Sequence, residues 1–322
     1  LNRRDFRAET RRSTVQTVEE LAFRLALFYV VLFLGVLANK LYSRAALLNQ
    51  LSTSLLLNIM LPALIIYTFL SSSASSLVEI PIIILVVVLM HVTGTGLALI
   101  RFRHTSIESK QKGALLLTAT FTNSVFLAIP IIIIFVGTIG VQVAAICAVV
   151  QMVLLSTLGV YIGAIYGENQ TDRRKHIRKA LLFPPFVATL ITIPLVLLGF
   201  SLPVQLEPVL SANNTITTYL ALFIVGLGLD TRMSTGGLKR ALEMIGIRQV
   251  MIPIIFFVVL PLLPLSDFVT RVLLIQAIMP AAVLTVVYSE AFDLDAKLAA
   301  MTVTLGTFLV LPAIPFLSLL VG

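Results

Sequence analysis

FTNSVFLAIPIIIIFVG, residues 121–137, and LIQAIMPAAVLTVVYSE, residues 274–290, decide how this chain folds. Each is an apolar run with a proline inside it, Pro130 in the first and Pro280 in the second. A proline within a helix removes one backbone hydrogen bond, and its ring collides with the preceding turn, so both runs are expected to break or kink. Hydrocarbon offers no water to the freed groups. Such a break survives only where neighbouring helices or a wet cavity satisfy it. The two runs are therefore expected inside a helical bundle, not on its lipid face.

Outward from these runs, apolar stretches of about 20 residues, enough to cross a ~30 Å hydrocarbon core, follow one another along the chain. We read ten spans, near 22–42, 48–70, 80–102, 113–136, 141–166, 179–200, 210–230, 240–262, 268–290 and 296–320. The two proline-bearing runs are the fourth and the ninth. A composition that is 58% hydrophobic and 12% charged, with mean hydropathy +1.05, excludes a soluble domain of this size. The alternating ten-residue strands of a membrane barrel are absent. The fold class is an all-α membrane protein of about ten transmembrane helices, and the lipid bilayer is its first partner. With five spans per half, the halves enter the membrane in opposite senses. The divisions are a tail (1–20), a first five-helix repeat (21–166), a cytoplasmic linker (167–178) and a second repeat (179–322).

The net charge of +8 and pI near 9.9 would raise nucleic acid as a partner for a soluble protein. Here the basic residues lie in short loops, where they set topology. Loops after odd-numbered spans hold Lys40, Arg44, Arg101, Arg103, Lys110, Lys112, the cluster at 173–179, Arg232, Lys239, Arg240, Arg248 and Lys297; loops after even-numbered spans hold only Arg271. The odd loops are expected in the cytoplasm and both termini outside, in a multi-pass protein of the cell (plasma or inner) membrane. The N-terminal cations Arg3, Arg4, Arg7, Arg11, Arg12 and Arg24 oppose that orientation. Thr17 and Glu20 have capping-box spacing for the first helix. Tyr42, Tyr166 and Tyr219 are placed near helix ends as interfacial anchors. Cys147 is the only cysteine, which excludes an intrachain disulfide.

A proline in corresponding segments of two oppositely inserted halves is the sequence pointer to a transporter binding site at the midplane. Broken helices turn positive dipole ends toward an anion there. Asn123, seven residues before Pro130, faces the same cavity if the segment is helical, and its amide either donates to a carboxylate or bonds a neighbouring helix. Ser124 adds a hydroxyl. Gln276, four residues before Pro280, faces the same way as the proline; Asn58, four residues before Pro62, and Gln151 in the fifth span are similar cases, each either a cargo contact or interhelical glue. Glu290, near the end of the ninth span, is a candidate proton carrier or a solvated end residue. His91 in the third span is a packing residue or a titrating one. Gly159, Gly163 and Gly167 are spaced for close helix packing. There is no HExxH, GxSxG, Walker loop or paired-Asp protease motif, so no enzyme, metal or cofactor is expected, and any transport is secondary, not ATP-driven.

Three patches carry a family resemblance. NSVFLAIP, at Asn123, Phe126, Leu127 and Pro130, resembles the first crossover segment of the auxin efflux carrier family, which includes plant auxin exporters and bacterial malonate-type carriers. AIMPAAVLTVVYSEAFDLDAKLAA resembles its second crossover at Met279, Pro280, Ala282 and Val283, and the following Asp295, Leu298 and Ala299; LNIMLPAL matches at Leu61, Pro62, Ala63 and Leu64. The resemblance implies an inverted five-plus-five repeat of the bile acid:sodium symporter type. It further implies a scaffold from spans one, two, six and seven, a moving transport domain from spans three to five and eight to ten, an elevator cycle, and a homodimer. The implied cargo is a small organic anion, auxin- or malonate-like, held about Pro130 and Pro280 with Asn123; Ser124, Gln276, Asn58 and Gln151 are the further candidate contacts read from the residues themselves. Leu284 and Ala281 stand where the family often has Asn and a second Pro. A sodium-coupled symporter of the same architecture, and a non-transporting membrane receptor or scaffold, are the alternatives.

Overall fold

The computed structural model describes residues 3–71, 78–103, 105–168, 178, 182–229 and 237–317, of which 3–18 and 20 by backbone alone. The greater part of the expected linker, with Arg173, Arg174, Lys175 and Lys179, lies outside the described residues, as does Arg232. Twelve helices are described: α1 (Arg3–Leu41), α2 (Ala45–Leu70), α3 (Ile80–Phe102), α4 (Ser109–Thr120), α5 (Ala128–Phe135), α6 (Gly140–Tyr166), α7 (Pro184–Leu197), α8 (Val204–Gly228), α9 (Leu238–Leu262), α10 (Asp267–Ile278), α11 (Leu284–Ala291) and α12 (Ala296–Leu317). Seven of them are long and apolar enough to cross a membrane alone. The shorter α7 is apolar too. The pairs α4–α5 and α10–α11 are the two broken spans, so the described residues form an all-helical fold of ten spans, as the sequence indicates.

The order in each half is three spans, a broken span and a fifth. Within the helices, π turns at Leu56–Met60, Leu155–Gly159 and Ile247–Met251 each insert an extra residue into a span, a feature frequent at functional sites. The first helix differs from expectation. It begins at Arg3, so Thr17 and Glu20 are interior to it and start nothing. Tyr219 also lies inside α8, while Tyr42 and Tyr166 are at helix ends as expected.

Loop contacts sort by parity. On one side, Arg101 at the end of α3 pairs with Glu243 of α9 at 2.7 Å, Arg240 bonds Gln111 of α4, and Lys110 reaches Asp293, between α11 and α12, at 2.6 Å and Glu168, after α6, at 3.1 Å. On the other, Ser266 donates its hydroxyl to Glu79 at 2.8 Å, and the Leu202 amide donates to the Leu70 carbonyl at 3.1 Å. Loops after odd spans thus meet one another, and loops after even spans do likewise. Arg248 is a correction. It lies ten residues into α9, a buried interior residue and not a loop cation.

Two packed groups stand out. α1 lies along α8, and α2 packs on α7 and α8. At the α1–α8 crossing, a Cβ on Gly226 would lie 2.1 Å from the Leu32 carbonyl oxygen and one on Gly35 2.3 Å from that of Phe223, so only glycine permits this approach. The other group links α3 with α4 and α6, α12 with α4, α9 and α11, and α4 with α6. Gly163 of α6 and Gly167 just after it admit Phe292 of the α11–α12 loop, a close contact within the subunit. Asp295 caps α12 by accepting from the Leu298 amide at 3.0 Å.

Candidate functional site

The breaks meet. Residues 121–127, between α4 and α5, and 279–283, between α10 and α11, cross with Thr122 opposite Ala281 in a single antiparallel bridge. The Asn123 amide donates to the Pro280 carbonyl at 2.8 Å, and the Ala282 amide donates to the Phe121 carbonyl at 2.9 Å. Each break therefore supplies backbone partners that the other has lost, which answers the demand that hydrocarbon makes on irregular backbone. Pro280 lies in its break. Pro130 does not: it is the third residue of α5, where a helix needs no amide donor, so it helps start the half-helix. The helical register that put Asn123 and Pro130 on one face is thus wrong, because the chain at Asn123 is not helical: the Ser124 amide donates across it to the Thr122 carbonyl at 2.9 Å.

Asn123 is 3% exposed and works in both directions. Its Oδ1 accepts from the Phe126 amide at 3.1 Å, closing the turn that leads into α5. That bond assigns the oxygen and leaves the NH2 as the side chain's remaining polar face. Ser124 donates its hydroxyl to Gln151 Oε1 at 2.8 Å, tying the break to α6. Thr122 points its hydroxyl at the carbonyls of Gln276, Met279 and Pro280, at 3.4 to 3.5 Å. An open cleft lies against these residues; its polar wall is Thr122, Asn123, Ser124 and Gln151. The rest is apolar: Leu57 of α2 and Phe183 before α7 on one flank, and Val125, Phe126, Ala148, Met152, Ala282, Val283 and Leu284 about the crossover.

The remaining expected residues fall elsewhere. Gln276 is buried behind the crossover, its Nε2 donating to the Ser124 carbonyl at 3.4 Å and its Oε1 without a partner. Asn58 is exposed and bonds Ser54 of its own helix at 2.9 Å, so it is neither in the cleft wall nor interhelical glue. Glu290 is exposed in the last turn of α11 and outside the cleft wall. His91 is buried with one ring nitrogen held by the Val87 carbonyl at 2.7 Å, and its Nε2 is unpartnered.

One residue escaped the sequence reading. Arg248, on the π turn of α9, is 2% exposed, and its Nη2 reaches the Gln276 carbonyl at 3.4 Å. The signal was present, since an arginine eight residues inside an apolar span is not a loop residue. Counting it among the topology cations hid it.

The comparisons agree with this geometry. Over 312 residues the chain is 26% identical to an uncharacterized transporter of Methanothermobacter thermautotrophicus, covering 95% of this chain and 97% of the relative. Over 205 residues it is 27% identical to an uncharacterized transporter of Methanocaldococcus jannaschii, covering 62% of this chain and 66%, just under two thirds, of that protein. The sequence pattern of the Membrane transport protein family matches residues 24–318. With two broken helices crossing inside a ten-span bundle, and a family match that takes in both of them, this chain belongs to the Membrane transport protein family, the group to which its auxin-carrier-like crossover motifs point.

Proposed function

We propose that this protein is a secondary carrier for a small organic anion, bound in the cleft at the crossover. One observation carries the reading: the polar wall of the cleft presents a donor. Asn123 spends its oxygen on the Phe126 amide, so its NH2 is what it can offer a cargo. α5 and α11 both start at the crossover with the positive ends of their dipoles toward it. A carboxylate suits these groups and a cation does not.

The cleft's position supports an elevator cycle. Its walls come from spans two and six on one side, at Leu57 and Phe183, and from spans four, five and nine on the other. These are the two packed groups of the fold, so the site lies on their seam, where one body sliding past the other carries the cargo along. Spans one, two, six and seven form the scaffold in this reading, and a homodimer through that scaffold fits the same scheme. The protein is placed in the cell membrane with both termini outside.

The test is uptake into proteoliposomes of radiolabelled acetate, malonate, phenylacetate and indole-3-acetate, with proton and sodium gradients imposed separately. Saturable uptake of at least one acid is expected. No flux of any acid above protein-free vesicles refutes the carrier reading in favour of a receptor or scaffold. Uptake that requires sodium identifies the symporter alternative. Glu290 is the candidate for proton coupling, and proton-driven uptake that survives Glu290→Gln removes it.

A further inference from the structure

Behind the crossover stands a guanidinium without an anion of its own. Arg248 lies ten residues into α9, about 15 Å from that helix end at 1.5 Å per residue. Its Nη2 makes the long contact to the Gln276 carbonyl, while Nε and Nη1 have no partner. Among the described residues no carboxylate pairs with it. The π turn that carries it packs against α3, α4 and α10. These bring His91, within its electrostatic reach, and Gln276, whose own Oε1 is unpartnered.

A charge held inside a membrane span is costly and marks a pathway or a partner. A buried cation stripped of its counter-ion is worse still. No described residue supplies the missing negative charge, and a bound anion can. The route is short. The Gln276 carbonyl that receives Arg248 also receives the Thr122 hydroxyl, and Thr122 is part of the cleft wall. One layer of crossover backbone separates the guanidinium from the cargo site. Coulomb attraction falls only as the inverse of distance, so in a poorly screened interior it acts across that layer.

Resting on the anion-carrier reading, we propose that Arg248 is the charge-selecting residue of this protein: one layer behind the crossover, it supplies the counter-charge for a single anionic group held at Thr122–Ser124. It acts through the crossover and does not touch the cargo. The loaded site is thereby close to neutral, and the empty site carries one positive charge.

The test uses the acid with the highest uptake in the panel above and its neutral amide, in proteoliposomes of the full chain. Wild type is expected to take up the acid at least 30-fold more efficiently than the amide. Arg248→Gln lowers the acid at least tenfold and changes the amide less than threefold. Arg248→Lys, which keeps the charge, holds the acid-to-amide preference within threefold of wild type. Monodisperse elution verifies folding, and Arg248→Met, apolar and similar in length, replaces the Gln variant if that one aggregates. A folded neutral variant with the wild-type preference overturns the proposal, as does a folded Lys variant that loses it. Wild type showing no preference for the acid overturns the anion reading itself, a separate result from the first two.

Discussion

Asn123 carries two duties that mutation can separate. Its Oδ1 accepts from the Phe126 amide at 3.1 Å, a bond that sets the start of α5. Its NH2 is proposed to hold the cargo. Asn123→Ala removes both. Loss of a capping oxygen costs about 1 kcal/mol of stability, which lowers Tm by about 2 °C in a chain of this size. Loss of a hydrogen bond to a charged partner costs about 1.5 to 3 kcal/mol, or about 10- to 150-fold in Kd at 1.4 kcal/mol per decade. Asn123→Ser is the informative variant. It keeps an oxygen able to cap the turn and deletes the two amide donors, so it is expected to match wild type in Tm and to match Asn123→Ala in affinity. The assays are equilibrium binding of the tracer acid to detergent-solubilised protein and thermal unfolding of the same samples. If Asn123→Ser binds as wild type does, Asn123 serves only as a cap. The donor argument for an anionic cargo then falls.

Two further outcomes follow from packing and charge. Gly226→Ala places a Cβ 2.1 Å from the Leu32 carbonyl and 2.9 Å from Gly35 Cα, backbone atoms that cannot step aside. It is expected to cost about 1 to 3 kcal/mol, seen as a lower Tm, with the acid-to-amide preference unchanged; a Tm equal to wild type refutes the close α1–α8 approach. The hydrogen bond from Lys110 holds the Asp293 carboxyl below the usual carboxylate range, and Asp293 in turn raises the Lys110 ammonium. The carboxylate's contribution is present above its unfolded value, near about 4, and fades as pH falls through the folded one; the ammonium's is present below its unfolded value, near about 10.4, and fades as pH rises through the folded one. Both groups are partly exposed and screened by solvent, so the effect is small. Asp293→Asn is expected to shift Tm by a constant, minor amount between about pH 5 and 9 and to converge on wild type in acid. A difference that varies steeply across neutral pH contradicts this.

The sequence made the ten spans legible because each must satisfy its own backbone, and that leaves long apolar runs that composition alone exposes. The crossover was legible through Pro130 and Pro280, yet the two prolines do different work. Pro280 sits in its break, whereas Pro130 begins the half-helix that follows. Periodicity could not show this, since the non-helical stretch TNSVF reads as well on a helix as off it. The pairing of Asn123 with Pro280, 157 residues apart, depends on tertiary structure that no local signal encodes. Gln276 was read as facing the cavity from a helical count that ended at the break. It instead bonds the Ser124 backbone from behind. Arg248 was missed for the opposite reason. Its type was informative, but a tally of loop charges took no account of depth.

The cleft also argues about its cargo. Of the four polar side chains in its wall, Ser124 gives its hydroxyl to Gln151, and Thr122 turns its hydroxyl to the crossover carbonyls. The side-chain donors that remain are the NH2 groups of Asn123 and Gln151, whose oxygens already accept from Phe126 and Ser124, and one buried cation lies behind the crossover. Everything else in the wall, from Leu57 and Phe183 across to Val283 and Leu284, is apolar. A second carboxylate on the cargo would lie against these groups without a hydrogen bond, at the high desolvation cost of an unpaired charge. A hydrocarbon or aromatic body would instead gain about 25 cal/mol for each Å² removed from water. An anionic head at Thr122–Ser124 with an apolar body toward Phe126, Met152 and Phe183 satisfies both walls at once. Within the panel, this places phenylacetate and indole-3-acetate ahead of malonate as competitors for tracer uptake. Malonate as the strongest competitor would mean that the apolar flank is not in contact with the cargo.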